Sequence, residues 1–576
     1  MRQRIAQVLS SVRLWLLTRL RGAFGDLRAR NWRFGLSVAA LLLVLLGSLA
    51  WRWTAISASL PYCRNVDEAT WTQIAMRMEK TGNLNPERFN YPSLQVYTIT
   101  AGFSLGLLRS AAAREGIAPR HLGSSAYPYY ELPKAVIVPK LLYATLSVGA
   151  LALLGLIAWN FKRDSRLLWL SPLTACLSAN YLFFSWAYLN VDILGAFFAC
   201  ATVAFLIIEH KLDEAGARSL SRAAVAGILS GLTLGCKYNL FWIAAPCVLY
   251  AVLFTRRRLV SRLVVYVVCL LLAFLLTTPY ALWDHSQFIT HLAREARHYA
   301  DGHRSFTVEK GWPALFAYLQ HYREEFGIPL LLLAVLGFGS MLRTDWKWAL
   351  ILSSFPVLLL AYMCQQRAFI TRNIISTFLF VSLCGSIGLL LVLDQARVWL
   401  LRFSYFNARP RLRFPVLGLI VLTLAATLPR STLAEAYSLK VESRNRVITW
   451  LQARVPTDSP ILVDDRLNMD VRPLEGAAYR VQTLPLPATK EGAARFREEN
   501  PGATLIVTAI PSDFLTELLS RPAEVAHRAS GTAPSTPYDS RDPNPALLVI
   551  RFPGTSVEPA APPAEPAPRR RRRRRR

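Results

Sequence analysis

Long apolar runs separated by short polar stretches recur along residues 35–430 of the chain. A helix needs about 20 consecutive apolar residues to cross the hydrocarbon core of a bilayer, and most of these runs approach that length. The pattern therefore predicts a polytopic α-helical membrane protein with about eleven spans. The predicted spans are 35–56, 134–158, 167–185, 187–208, 223–237, 239–255, 259–280, 326–342, 347–363, 371–393 and 414–430.

The run 91–109 is ambiguous, because its length also approaches what a crossing requires. If it crossed, the arginine-rich connections between later spans would face the side opposite to the arginine-rich N-terminus. Basic residues collect on the cytoplasmic side, so we expect 91–109 to lie in or re-enter the outer interface. The N-terminal segment 1–34 is then cytoplasmic and the first span is a signal anchor. The large loops 57–133 and 281–325 face outward.

Beyond the last span the composition becomes that of a soluble domain. Short aliphatic and β-branched runs predict buried strands that alternate with helix-like segments. We expect a small extracytoplasmic α/β domain over 431–552, with the C-terminus outside. Residues 553–576 are rich in proline and alanine and end in eight arginines, a composition typical of disorder. The predicted strands are 461–463, 504–508 and 546–552, and the predicted helices are 438–454, 490–499 and 512–520.

The net charge of +29 would suit a nucleic-acid-binding protein. The arginines, however, cluster between apolar spans, where they set membrane orientation and contact anionic lipid headgroups. We therefore expect membrane lipids as partners and no nucleic acid. Five of the eight histidines lie in the loop 281–325, but neither they nor the eight cysteines show metal-ligand spacing. The sequence predicts no metal site and no cofactor.

The stretch from Asn65 to Leu94 combines a helix start, two carboxylates and an aromatic–proline turn. Asn65 can cap a helix, and Glu68 three residues later completes a capping-box pattern. Apolar residues then recur at helical spacing, and Gly82 ends the helix. This predicts a short amphipathic helix on the membrane surface, with Asp67 in its first turn.

These residues resemble the first extracytoplasmic loop of the GT-C glycosyltransferases, in particular the branch of protein O-mannosyltransferases and lipid A aminoarabinose transferases. Enzymes of this branch take a sugar from a polyprenyl-phosphate carrier. The resemblance implies that Asp67 is the catalytic acidic residue, acting as a base in a transfer that inverts the sugar. It rests on Asp67-Glu68, Thr81-Gly82-Asn83 and Tyr91-Pro92-Ser93-Leu94, with serine where the family usually has a second proline.

Four charged residues at the predicted outer ends of spans are further candidates for the site. The resemblance implies that Lys140 and Lys237 contact the carrier phosphate, and the alternative for each is a lysine that only reaches the membrane interface. Asp192 is a carboxylate in an apolar segment, which is costly unless it serves a site or pairs with a lysine or arginine. Arg372 suits bidentate phosphate binding, although Asn373 follows it where the family commonly has tyrosine.

Glu68, Tyr91 and His303 complete the expected substrate-binding set. Glu68 has the alternative of a simple capping residue. Tyr91 precedes a proline that fixes a turn, and tyrosine suits interfacial depth. His303 belongs to a passage that resembles one in bacterial members of the superfamily.

A polyprenyl phosphate is a good leaving group near neutral pH, so transfer needs one carboxylate to accept a proton and cations to hold the departing phosphate. The resemblance implies a hexosyl- or pentosyltransferase that uses a lipid-phosphate donor, and the charged residues fit transfer at the outer face of the inner membrane. Its acceptor would be a hydroxyl of a lipid, glycan or protein. The alternatives are a transporter or lipid flippase, which would favour charged groups at midplane and an internal repeat, and a non-catalytic membrane subunit.

Overall fold

The computed structural model divides the chain into two compact units, Met1–Leu439 and Lys440–Arg576. The predicted segments 1–34 and 553–576 fall almost entirely outside the residues it describes, as do Asn65 and most of the predicted span 414–430. The described residues are 32–60, 62, 66–104, 110, 133–187, 189–212, 220–255, 258–303, 306–408, 415–419, 429, 442–467, 469–487, 489–509, 512–520, 524–529 and 546–553.

The first unit consists mainly of helices in its described part. Two 3₁₀ helices, Tyr238–Ile243 and Thr371–Ile374, precede α9 and α14. The helices are α1 (Trp32–Ser59), α2 (Val66–Thr81), α3 (Leu94–Gly102), α4 (Pro133–Lys162), α5 (Leu167–Cys176), α6 (Ala179–Phe184), α7 (Val191–Leu212), α8 (Leu220–Leu234), α9 (Ala244–Phe254), α10 (Leu259–Thr277), α11 (Tyr280–Trp283), α12 (His285–Asp301), α13 (Trp312–Cys364), α14 (Ile375–Leu401) and α15 (Ser404–Ala408).

Several of these helices are long and apolar enough to cross a bilayer, so this is a multi-pass membrane protein. Helix α3, within the ambiguous run, has only 9 residues in its described part. Helix α13 has 53 residues, but Gly327 and Asp345 have non-helical backbone angles and divide it close to the predicted spans 326–342 and 347–363. The six long candidates are Trp32–Ser59, Val136–Lys162, Val191–His210, Leu259–Thr277, Trp312–Cys364 and Thr371–Leu401, and three shorter apolar ones are Leu167–Cys176, Leu220–Leu234 and Tyr238–Phe254.

The third predicted span is interrupted, forming α5 and the six-residue helix α6. The Glu325 carboxylate accepts hydrogen bonds at the N-terminus of α6 from the Ser178 hydroxyl and from the Asn180 backbone N–H at 2.9 Å. Arg52, which is 0% exposed, donates at the other end of α6 to the Ser185 hydroxyl at 2.7 Å. An anion at a helix N-terminus and a cation at its C-terminus both interact favourably with the helix dipole. Helix α6 thereby stabilises two charges that are costly in an apolar interior.

The second unit is built on a mixed five-stranded sheet with the order β2-β1-β3-β5-β4. Strand β1 runs parallel to β2 and β3, whereas β5 runs antiparallel to β3 and β4. Two buried apolar clusters cover opposite sides of the sheet, one with α16 and one with α18 and α19. The elements are α16 (Ser443–Arg454), β1 (Pro460–Asp464), α17 (Arg472–Glu475), β2 (Arg480–Leu484), α18 (Lys490–Glu499), β3 (Thr504–Thr508), α19 (Asp513–Ser520), β4 (Glu524–Ala529) and β5 (Leu547–Arg551).

Helices α13 and α14 approach so closely that glycine is required at their contact. A Cβ atom on Gly337 would lie 1.9 Å from the backbone oxygen of Cys384, and one on Gly388 would lie 1.9 Å from that of Leu333. Because the obstacle is backbone in both cases, side-chain rotation cannot relieve it. Small residues permit such close packing between membrane helices. The two glycines therefore set how closely α13 and α14 pack.

We expect Gly388→Ala to destabilise the protein by about 1–3 kcal/mol, because the added methyl group forces the two helices apart. Thermal unfolding of the purified protein in detergent measures the effect. The control is Gly339→Ala on α13, where a Cβ atom meets nothing within 4 Å. That variant should unfold at or slightly above the wild-type temperature, since alanine favours helix. Equal unfolding temperatures for the two variants would contradict the proposed contact.

Candidate functional site

Asp67 and Arg372 form an ion pair that joins two distant parts of the chain. Asp67 lies in the first turn of α2, and Arg372 lies in the 3₁₀ helix before α14. Arg372 Nη2 is 2.7 Å from Asp67 Oδ2. The Asp67 side chain is 43% exposed and the Arg372 side chain 18%. The arginine therefore orients the carboxylate while leaving it open to a bound molecule.

Tyr91 lies beside this pair. Arg372 Nη2 donates to the Tyr91 hydroxyl at 3.4 Å. The Tyr91 ring centre lies 5.4 Å from Lys237 Nζ and 5.7 Å from the ring centre of Trp71. Burial raises the pKa of Tyr91, so its hydroxyl keeps its proton. A hydroxyl that accepts from an arginine can still donate to an oxygen of a bound phosphate.

A buried polar network lies behind Tyr91. Lys237 Nζ is 2.7 Å from Asp192 Oδ1 and donates to Asn373 Oδ1 at 2.6 Å. Asn373 Nδ2 donates in turn to the Tyr299 hydroxyl at 3.1 Å. The side chains of Lys237 and Asp192 are each 3% exposed. The network thus ties α7 and the turn after α8 to the residue that follows Arg372.

Glu68 and Lys140 form a second buried ion pair, with 3.0 Å between Lys140 Nζ and Glu68 Oε1. Their side chains are 0% and 1% exposed. Glu68 Oε1 also accepts from the Leu189 backbone N–H at 3.0 Å, and Lys140 Nζ donates to the Ala187 backbone oxygen at 2.9 Å. The pair therefore fixes α2, α4 and the segment before α7 together, and Asp67 is the residue next to this junction.

The sequence led us to expect Lys140 and Lys237 as cations that contact a substrate phosphate. In the structure each lysine lies against a buried carboxylate, Glu68 in one case and Asp192 in the other. Substrate contact by either lysine would require the pair to open, whereas Arg372 already has exposed surface. For Asp192, the sequence left open either a role in the site or a pairing with a lysine or arginine. The ion pair with Lys237 matches the second of these.

The first loop is held against α12 by polar contacts. Asn85 Nδ2 donates to Asp284 Oδ2 at 2.9 Å, and Asn90 Nδ2 donates to Glu295 Oε2 at 3.0 Å. The backbone N–H of Phe89 donates to His291 Nδ1 at 3.1 Å. Helix α12 therefore fixes the segment that leads into Tyr91.

His303 lies in the second loop, just beyond α12. Its ring centre is 5.5 Å from that of His298 and 5.7 Å from that of Phe306. The backbone N–H of Arg367 donates to the Tyr299 backbone oxygen at 3.0 Å. His303 thus lies four residues beyond Tyr299, whose hydroxyl belongs to the buried network.

Several residues of this region escaped the sequence analysis. Asn85 lies in the first loop and Glu295 lies on α12, and no local pattern marks them because their contacts depend on the fold. Arg52 and Glu325 carried a usable signal, since a charged residue in or beside an apolar run is unusual. Among the described residues, no group of three or more histidine, cysteine, aspartate or glutamate side chains could hold a metal ion.

No protein-family model matches the sequence, and neither does any curated protein. Solved structures do resemble it. One is the archaeal oligosaccharyltransferase AglB from Archaeoglobus fulgidus, in complex with an inhibitory peptide and a dolichol-phosphate. The match covers 83% of this chain and 70% of the AglB chain. The TM-score is 0.50 and the identity 12%. The chain has a GT-C fold.

A second similar structure is ArnT from Cupriavidus metallidurans bound to undecaprenyl phosphate. The match covers 89% of this chain and 97% of the ArnT chain. Its TM-score is 0.47 and its identity 12%. Three of the residues expected in the site, Asp67, Tyr91 and Arg372, lie in one contiguous group.

We expect Lys140→Met to destabilise the protein by about 3–5 kcal/mol, because it leaves the Glu68 carboxylate buried without its counter-charge. The double variant Glu68→Gln/Lys140→Met should recover much of this loss, since no buried charge then remains. Chemical denaturation of the four proteins of the double-mutant cycle measures the coupling. Additive effects of the two substitutions would show that the pair is not coupled.

We expect the first loop to loosen as the pH falls. Partial burial and the nearby charges of Arg294 and Arg88 lower the pKa of His291. The neutral ring is therefore favoured in the folded state, and its contribution to stability, present above the ordinary value of 6.5, is lost as the pH falls through the lowered pKa. Protection factors from hydrogen exchange in 84–90 should drop between about pH 7 and pH 5.

The variant His291→Asn should remove this pH dependence. The control is His285→Asn, which alters an exposed histidine on the same helix. A wild-type-like drop in protection in the His291 variant would exclude this histidine as its origin.

Proposed function

We propose that the protein is a glycosyltransferase that moves a sugar from a polyprenyl-phosphate carrier to a hydroxyl acceptor at the outer face of the cell membrane. The observation that carries the proposal is the exposed Asp67 carboxylate held by Arg372, with Tyr91 beside them. The GT-C fold supports it, and the similar AglB structure contains a dolichol-phosphate. Such a group supplies a base and phosphate-binding donors within one region.

In the proposed reaction Asp67 accepts the proton of the acceptor hydroxyl as its oxygen attacks the anomeric carbon. A bond forms between that oxygen and the sugar, and the bond between the sugar and the carrier phosphate breaks. The electron pair leaves with the polyprenyl phosphate, so no separate acid is needed. Attack opposite to the departing phosphate inverts the anomeric carbon, the outcome that the resemblance implies.

Arg372 and Tyr91 are the proposed ligands of the departing phosphate. Arginine presents several N–H groups in a fixed plane that matches phosphate oxygens, and one of them already bonds Asp67. The protonated Tyr91 hydroxyl adds a neutral donor. Arg88 is a further candidate, because it is exposed and its guanidinium lies 5.9 Å from the ring centre of Trp71.

The buried pairs have a positioning role in this proposal. Lys237 and Asp192 fix Asn373, and through it the adjacent Arg372. Glu68 and Lys140 fix the first turn of α2, and with it Asp67. A base must lie within hydrogen-bond reach of the proton it takes, so such positions have to be held rigidly. His303 remains a proposed contact of the acceptor or the sugar.

We expect Asp67→Asn to reduce transfer by about 10²–10⁴-fold, because the amide cannot accept the acceptor proton. Arg372→Lys should reduce it roughly 10²-fold through loss of the planar donor group. The assay is mass spectrometry of envelope lipids and glycoproteins from a deletion strain complemented with each variant at equal membrane levels. The control is Asp301→Asn, which removes an exposed carboxylate on α12.

Wild-type glycosylation in the Asp67 variant would exclude this residue as the base. Unchanged lipids and glycoproteins in the deletion strain itself would argue against sugar transfer altogether. Movement of the carrier lipid across vesicle membranes by purified protein, without consumption of the donor, would favour the flippase alternative.

A further inference from the structure

A cavity of about 50 Å³ lies between helices α7, α8, α9 and α10. Glu209 near the end of α7 and Arg222 near the start of α8 line it. Helix α7 begins next to Asp192, so the cavity lies at the opposite end of these helices from the Asp67–Arg372 group. It therefore has no part in the proposed transfer site.

Small side chains create this cavity. Ala223 and Ala226 are three residues apart on α8, and Cys247 and Ala251 are four residues apart on α9, so each pair lies on one helix face. These side chains are too short to fill the space between the helices. About 10–15 Å³ suffices for one water molecule, but water needs several polar partners, and this lining is largely apolar. An apolar chain suits the interior better.

The rim of the cavity is charged. Arg222 Nε is 2.8 Å from Glu209 Oε2, and the two charges offset each other. Arg262 also lines the cavity and forms no ion pair with any residue that the structure describes. The rim thus carries one carboxylate and two guanidinium groups. A ligand that extends from the apolar interior to this rim would place an anionic group there favourably.

A buried hydroxyl lies among the lining residues. Tyr266 is 5% exposed, and its hydroxyl lies close to the side chains of Ser230 and Cys247. The cavity therefore offers an apolar lining, a buried donor and a positive rim to one molecule.

We propose that this cavity binds an anionic phospholipid, with the phosphate at Arg222 and Arg262 and part of one acyl chain among the small side chains. Tyr266 would bond an ester oxygen of the same lipid. Basic pockets between membrane helices bind lipid headgroups in this manner. The charge of the rim selects an anionic lipid over a zwitterionic one. The site is independent of the proposed transfer reaction.

The test uses the full-length protein purified in detergent, with thermal unfolding and native mass spectrometry as readouts. Dioleoyl phosphatidylglycerol should raise the unfolding temperature and remain bound, whereas dioleoyl phosphatidylcholine, which has the same acyl chains, should do neither. Arg262→Gln should weaken phosphatidylglycerol binding roughly tenfold or more. Its control is Arg343→Gln, which removes an exposed arginine on α13 and should leave binding unchanged.

The variant Ala226→Leu fills the cavity without altering charge and should abolish the lipid effect. Its control is Val225→Leu, at a position that is 39% exposed on the same helix. Equal stabilisation by the two lipids would overturn the proposal, and so would full binding to the filled variant. If the filled variant fails to fold, the two arginine variants test the proposal by themselves. Equal phosphatidylglycerol binding by Arg262→Gln and Arg343→Gln would then overturn it.

Discussion

The buried ion pair between Glu68 and Lys140 is the constraint on which the rest of the site depends. It joins the first helix after α1 to α4, and both partners also bond the backbone of the segment that precedes α7. Two charges withdrawn from water are stable only when each has its partner and its hydrogen bonds. The position of Asp67 is therefore set by an interaction that is costly to rearrange, although Asp67 itself is half exposed.

The three ion pairs of the candidate site differ in their exposure to solvent. Glu68–Lys140 and Asp192–Lys237 are buried and connect helices, whereas Asp67–Arg372 is partly exposed. Burial fixes the first two pairs, and the third is accessible from outside. The proposed transfer, in which a charged lipid binds and leaves, would use both kinds of pair.

Local patterns in the sequence predicted helix α2 well, because the periodicity of its apolar residues and Gly82 at its end are local signals. Gly82 has a φ of +69°, as a helix-ending glycine should. The partners of Glu68 and Lys237 were not predictable, because they come from distant segments brought together only by the fold. The break before α6 was missed for a related reason, since Arg52 and Glu325 compensate for it from other helices.

Helix α6 has a consequence for how the protein is made. Its stabilising charges come from α1 and α13, which leave the ribosome far apart in time. Until α13 has been inserted, the N-terminal end of α6 lacks the Glu325 carboxylate that completes it. The N-terminal turn of α6 can therefore settle only late in biosynthesis, after most of the described membrane helices have been made.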